Sequence, residues 1–212
     1  MTAKSAAATQ LARQLGLRHG DALVVVDVQR DFLPGGSLAV PDADAVIGPL
    51  NAYIRTFDTR GLPIFFTRDW HPVDHCSFAN MGGRWPVHCV QGTAGATWAE
   101  GLEVTSADHI VSKGADPSTE AYSAFSATNL LSLLRELGVH RVFIGGLATD
   151  YCVMETVGDA RAHGFEVIVL KDAIRAVNVQ QGDEARSLNQ MDARGATFFT
   201  PTGYSKAPPK HH

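Results

Sequence analysis

The sequence predicts an α/β fold, namely a three-layer, doubly wound sheet of about six mainly parallel strands with helices on both faces. Continuous apolar and β-branched runs, of which residues 22–26 are the first, are typical of strands covered on both faces of a parallel sheet. These runs alternate with segments in which apolar residues recur at helical spacing, as in a doubly wound fold. Because such sheets bind ligands beyond the carboxyl ends of their strands, we expect the functional side chains there.

The first elements form a strand, helix, strand unit. The run that begins at Ala22 predicts a strand with Asp27 at its carboxyl end. Residues 43–60 carry apolar side chains on one helical face, and residues 63–67 form a second apolar run. Residues 68–105 lack a sustained period and contain many Gly, Pro, His and Trp residues, which predicts a long functional loop.

The remaining elements continue the alternation. Strands are predicted at residues 109–112, 141–144, 166–170 and 196–199, and helices at residues 127–137, about 150–163 and 182–194. Because the carboxyl ends of parallel strands meet at one edge of a sheet, residues far apart in sequence should converge there. The residues concerned are Asp27, Asp69, Lys113 and the turn at residues 145–152.

Length and composition indicate one globular domain. A chain of 212 residues with 45% hydrophobic residues, 19% charged residues and a formal net charge of -4 is ordinary for a single α/β domain. The scattered Lys and Arg residues argue against a nucleic-acid partner, and the composition argues against a membrane protein. We expect a partly helical extension at residues 1–20, the domain at residues 21–202 and a tail at residues 203–212, whose two terminal histidines are consistent with a tag remnant.

The cysteines favour a reducing compartment. Cys76, Cys89 and Cys152 cannot all pair within one chain, and no secretory apolar segment precedes them. We therefore expect a cytoplasmic protein. Its oligomeric state is left open, and a homo-oligomer is compatible with the sequence.

The long loop contains a candidate set of metal ligands. One carboxylate and three imidazoles suit a divalent transition metal such as zinc, iron or manganese. The alternative interpretation is a set of surface or substrate-contacting histidines. Cys76 and Cys89 are alternative ligands, although adjacent side chains in an extended segment point apart. The four candidate ligands are Asp69, His71, His75 and His88.

Three further groups offer the parts of a cysteine hydrolase. Cys152 follows a predicted strand at the start of a helix, where the helix dipole lowers a thiol pKa and predicts an exposed thiolate. Asp27 and Lys113 also follow strands and supply a base and a cation. Taken alone, Cys152 would be interpreted as an inert, packed side chain, and Asp27 and Lys113 as a structural ion pair. Because all three are predicted at the same edge of the sheet, a catalytic triad is the favoured interpretation.

Six segments carry these residues in a distinctive combination: residues 26–38, 67–75, 85–93, 113–114, 120–125 and 146–153. Together they resemble the nicotinamidase branch of the isochorismatase-like, or cysteine hydrolase, superfamily. The resemblance runs from about residue 21 to residue 201 and implies an isochorismatase-like fold. Any one segment would be unspecific, whereas the combination is highly specific.

The resemblance implies a role for each candidate residue. It makes Asp27, Lys113 and Cys152 the catalytic triad, with a metal held by Asp69, His71, His75 and His88. It makes Phe32 and Trp85 aromatic walls of the substrate pocket. It implies a cis peptide between Leu147 and Ala148, with the backbone N–H groups of Ala148 and Cys152 as oxyanion hole. Cys76 and Ala124 stand where many relatives have glycine, which concerns pocket shape rather than reaction class.

The implied activity is metal-dependent hydrolysis of nicotinamide to nicotinate and ammonia through a Cys152 thioester, in NAD salvage, with pyrazinamide as a further substrate. The implied metal is one divalent ion, zinc before iron or manganese. A metal-free relative, such as an isochorismatase or N-carbamoyl amidohydrolase, would lack the Asp-His ligand set. A non-catalytic nucleotide-binding module is the more remote alternative, since the sequence has no glycine-rich phosphate-binding motif.

Overall fold

A seven-stranded, mainly parallel sheet forms the centre of the protein. The computed structural model describes residues 3–105 and 108–205. The strands lie in the order β3-β2-β1-β4-β5-β6-β7. All neighbours are parallel except β6 and β7, which are antiparallel. The strands are β1 (Asp21–Val26), β2 (Ile64–Asp69), β3 (His109–Lys113), β4 (Arg141–Leu147), β5 (Glu166–Arg175), β6 (Thr197–Thr200) and β7 (Gly203–Ser205).

Helices cover both faces of the sheet. They are α1 (Ala3–Leu15), α2 (Ile47–Thr59), α3 (Leu130–Glu136), α4 (Met154–Ala162) and α5 (Asp183–Ala193). Side chains of α1 and α2 share one apolar core with Leu23 and Val25 of β1. Side chains of α3, α4 and α5 share the other core with Val24 and Val26, because successive side chains of a strand point to opposite faces. The predicted three-layer, doubly wound fold is confirmed.

Several element boundaries differ from the prediction. Strand β5 continues to Arg175, and the helix predicted at residues 127–137 begins only at Leu130. The seventh strand, β7, lies in the segment expected to be a tail, and its three residues are too few to show a period. The rest of that tail lies outside the described residues.

The amino-terminal segment packs on the domain. Ala12 and Leu15 of α1 are buried in the core that α1 shares with α2. The Tyr204 hydroxyl donates a hydrogen bond of 2.6 Å to the Leu15 carbonyl, so α1 also contacts β7. None of the helices among the described residues has the length and apolar character needed to cross a bilayer.

The topology brings the expected polar residues to one edge. β3, β2, β1 and β4 are consecutive in the sheet, and Asp69 pairs in register with Lys113 at the ends of β2 and β3. Asp27 follows β1 with φ of 50°, a left-handed conformation that turns the chain out of the strand. On the other side of β1, Val26 pairs with Gly146 of β4. The four strand ends therefore surround one site.

Candidate active site

Cys152 lies in a wide helical turn between β4 and α4. The turn spans Thr149–Val153, and its last backbone N–H donates to the Ala148 carbonyl at 3.1 Å. The peptide between Leu147 and Ala148 is cis, as the resemblance implies. Gly146 lies one residue before this bond, and a side chain there would clash with the Val26 carbonyl. Glycine therefore permits β4 to approach β1 and to bring the turn beside the end of β1.

Lys113 is the centre of the charged cluster. Its ammonium lies 2.9 Å from Asp27 Oδ2 and 3.4 Å from Cys152 Sγ, and it also pairs with Asp69 Oδ1. The Thr67 hydroxyl donates a hydrogen bond of 2.7 Å to Asp27 Oδ1. Lys113 and Asp27 are buried, with 1% and 0% of their surfaces exposed, so water does not screen these charges. A carboxylate, an ammonium and a thiol thus lie together in one buried cluster.

Burial keeps the thiol protonated. It raises the pKa of Cys152 well above its ordinary value, and the nearby Lys113 ammonium offsets this only in part. The expectation of an exposed, acidified thiolate is therefore wrong: only 7% of Cys152 is exposed. Sequence position showed the strand-to-helix turn but not its depth. The thiol needs a neighbouring base to remove its proton.

The charges of the other groups follow from burial and contact. Burial also raises the pKa of Asp27, although Lys113 and the Thr67 hydrogen bond oppose this. For Lys113, burial alone would lower the pKa, but the carboxylates of Asp27 and Asp69 hold it well above its usual value. Asp69 is likewise buried, yet Lys113 and His71 hold its pKa below its ordinary range. These contacts favour the charged forms of Lys113 and Asp69.

Asp69, His71 and His88 form a group that fits a divalent metal. Their ligand atoms lie within 4.8 Å of one another, and all three residues are buried. The Nδ1 atoms of His71 and His88 lie 2.9 and 2.8 Å from the carbonyls of Gly114 and Pro86. A carbonyl only accepts hydrogen bonds, so Nδ1 carries the hydrogen and Nε2 keeps its lone pair for a metal.

Two further features suit this group to a metal. Burial lowers the pKa of His88 and so favours the neutral imidazole that coordinates metals. Gly114 leaves room for the His71 ring, since a side chain at this position would clash with that ring.

His75 lies beside this group but is held differently. Its ring centroid is 4.1 Å from that of His71, yet Nε2 faces the Thr119 carbonyl at 3.2 Å and Nδ1 faces the Ser77 hydroxyl at 2.7 Å. Both ring nitrogens thus have protein partners. Of the four ligands predicted from the sequence, the structure brings three together, and His75 would have to release Thr119 or Ser77 before it could coordinate.

The cluster opens into a mostly apolar pocket. Phe32 forms one wall, with its ring centroid 5.8 Å from that of His88. Trp85 forms another part of the wall, where its indole N–H donates to the Tyr122 hydroxyl at 2.9 Å and its ring centroid lies 5.0 Å from that of Tyr151. Cys152, Asp69, His71 and His88 also line the pocket. A flat aromatic ligand in it can therefore contact the thiol and the Asp69, His71 and His88 group together.

Some site residues were missed in the sequence. Tyr122 and Tyr151 extend the aromatic wall, and both lie in segments that carry the family resemblance, which was the available signal. Thr67 begins another of these segments, but its hydrogen bond to Asp27 depends on strand pairing, which the residue type alone does not show. Cys76 and Ala124, the two departures from the family pattern, are not among the residues that line the pocket.

Comparison with known proteins agrees with this geometry. The family model described as "Isochorismatase domain" matches residues 21–202. The chain is 38% identical over 200 residues to a nicotinamidase from Escherichia coli, covering 84% of this chain and 94% of that protein.

Two solved structures have the same fold. One is a pyrazinamidase of Pyrococcus horikoshii in complex with zinc, with 48% identity and a TM-score of 0.82, covering 85% of this chain and 99% of that one. The other is a protein from L. infantum in complex with nicotinate, with 36% identity and a TM-score of 0.80, covering 87% of this chain and 94% of that one.

Proposed function

This chain belongs to the isochorismatase family, and we propose that within it the protein is a metal-dependent nicotinamidase that hydrolyses nicotinamide to nicotinate and ammonia. The observation that carries the proposal is one pocket that joins a Cys152, Asp27 and Lys113 cluster to a metal-binding group and aromatic walls. Nicotinamide has the matching parts, namely a carboxamide for the nucleophile and a ring nitrogen that a metal in this pocket would bind. Pyrazinamide presents the same groups and is a second substrate.

The first half-reaction makes a thioester. Asp27 accepts the proton of the Cys152 thiol, and the sulfur attacks the carboxamide carbon. The backbone N–H groups of Ala148 and Cys152 stabilise the oxyanion, as the family resemblance implies. Asp27 then returns the proton to the leaving nitrogen, ammonia departs and the acyl group stays on sulfur.

The second half-reaction restores the enzyme. Asp27 takes a proton from water, the hydroxide attacks the thioester carbon, and the thiolate leaves with that proton. Lys113 contacts both Asp27 and Cys152, so its charge stabilises whichever of them is anionic. The net change is amide plus water to acid plus ammonia.

Asp69, His71 and His88 would hold the metal, with zinc as the first candidate and iron or manganese as alternatives. A bound ion supplies a Lewis-acid contact for the ring nitrogen, which orients the ring rather than activating the nucleophile. Phe32 and Trp85 hold the faces of the ring. In this proposal the enzyme produces nicotinate for NAD salvage in the cytoplasm.

The test is release of ammonia from nicotinamide by the purified protein, before and after chelation and again after zinc is restored. We expect turnover that falls on chelation and returns with zinc. A metal-free relative would keep its activity after chelation, and a protein that released no ammonia from nicotinamide with any of the three metals would not be a nicotinamidase.

A further inference from the structure

Gln29 lies three residues beyond the end of β1, with its surface fully buried. It does not touch the pocket, and the mechanism above does not use it. We propose that Gln29 is a positioning residue that sets the place of the Asp69 carboxylate between Lys113 and the metal. This inference rests on the proposed function, because it assigns the metal-ligand role to Asp69.

The side-chain amide of Gln29 binds the Asp69 backbone in both directions. Its Oε1 accepts a hydrogen bond of 2.7 Å from the Asp69 N–H, and its Nε2 donates a bond of 2.8 Å to the Asp69 carbonyl. The second Nε2 hydrogen reaches the Ala96 carbonyl at 3.0 Å. Both donors and the acceptor of the amide are therefore engaged, which determines its orientation.

The Gln29 amide takes the place of backbone pairing beyond the end of β1. Backbone pairing between β1 and β2 ends where Val26 lies opposite Thr67, followed by one bond from the Asp27 N–H to the Thr67 carbonyl. Asp69 lies beyond that point on the β1 side, and on the other side it still pairs with Lys113 of β3. Gln29 thus supplies the backbone partners that β1 no longer offers.

The placement of Asp69 has two consequences for the site. Its Oδ1 pairs with the Lys113 ammonium, and its Oδ2 lies 3.7 Å from His71 Nε2 within the metal-binding group. A shift of the Asp69 backbone therefore displaces one metal ligand and one partner of the catalytic cation together. Groups that orient metal ligands typically change metal affinity or activity by about 10- to 100-fold when they are removed.

A matched pair of substitutions separates positioning from general stability. Gln29→Met keeps the length of the side chain and removes its hydrogen bonds. Asn51→Leu is the control, because the Asn51 amide also binds another segment in both directions, with bonds of 2.7 Å to the Gly101 carbonyl and 2.9 Å from the Glu103 N–H. Asn51, Gly101 and Glu103 are not among the residues that line the pocket.

The experiment starts from zinc-loaded protein and measures zinc transfer to a competing chromophoric chelator, with thermal unfolding followed in parallel. We expect Gln29→Met to weaken zinc affinity by about 10- to 100-fold and Asn51→Leu to leave it unchanged. At saturating zinc, kcat of Gln29→Met should stay below wild type with little change in KM, since the aromatic walls are intact.

Zinc affinity equal to wild type in Gln29→Met would overturn the proposal, whatever the loss in melting temperature. If that variant does not fold, Gln29→Asn decides the question: it keeps an amide that is one methylene too short, and an unchanged zinc affinity would again overturn the proposal. The proposed function fails separately, if wild-type protein releases no ammonia from nicotinamide. The zinc comparison does not depend on that assay.

Discussion

The hydroxyl of Thr67 should tune the catalytic base, and Thr67→Val tests this. Valine has the shape of threonine without the hydroxyl, so the buried side chain keeps its volume while Asp27 Oδ1 loses a hydrogen bond of 2.7 Å. A hydrogen bond to a charged group contributes about 1.5–3 kcal/mol. Loss of a bond of that strength to the ionised carboxylate makes ionisation of Asp27 less favourable by the same amount. At a pH where Asp27 is mostly protonated, kcat/KM should therefore fall by roughly tenfold or more.

The direction of the pH effect follows from the same contact. Thr67 lowers the pKa of Asp27 against the effect of burial, so its removal raises that pKa further. Because the base acts only when deprotonated, the acid limb of kcat/KM moves to higher pH. The ratio of wild-type to variant kcat/KM should grow as the pH falls and should approach one at pH values above the acid limb.

The assay is a pH profile of kcat/KM for nicotinamide at saturating zinc, with Thr56→Val as control. Thr56 is equally buried, and its hydroxyl donates at 2.7 Å to the Ala52 carbonyl inside α2. Loss of this hydrogen bond should lower the free energy of unfolding by about 0.5–1.5 kcal/mol and leave the pH profile of kcat/KM unchanged. An acid limb of Thr67→Val that coincides with wild type would refute the reasoning about Asp27.

Three other changes test separate parts of the site. Cys152→Ala should abolish turnover while leaving the fold and zinc content intact, as checked by circular dichroism and metal analysis; activity near wild type would reject Cys152 as nucleophile. Lys113→Met leaves the buried carboxylates of Asp27 and Asp69 without their cation. The free energy of unfolding should therefore fall by about 3–5 kcal/mol, and kcat should fall as well. A variant as stable as wild type in chemical denaturation would contradict the ion-pair account. Metal removal should reduce kcat/KM far more for nicotinamide than for benzamide, which lacks the ring nitrogen, whereas equal losses would show that the metal does not anchor the ring.

The strands and the edge that holds the site could be predicted because their signals are local. The β-branched run before Asp27 shows a buried strand, and parallel strands bring their carboxyl ends together whatever the loops between them do. Asp27, Asp69 and Lys113 could therefore be assigned to one edge without knowledge of any contact.

The missed features depend on tertiary contacts. Burial of the Cys152 thiol reflects the depth of its turn, and the hydrogen bond between His75 and Thr119 joins residues 44 positions apart. Gln29 reaches Asp69 across 40 positions. A single sequence shows the residue types at these positions but not their partners, so depth and pairing had to come from the structure.

The most direct test of the central claim is the mass of the intact protein after rapid acid quenching during turnover of nicotinamide. The account predicts a population heavier by one nicotinoyl group, with the adduct mapped to the peptide that contains Cys152. Asp27→Asn should show far less adduct at the same time points, because the amide cannot accept the thiol proton. Adduct formation at the wild-type rate in Asp27→Asn would make Asp27 only structural. Absence of any adduct on Cys152, under conditions where single-turnover kinetics show an accumulating intermediate, would contradict the thioester mechanism.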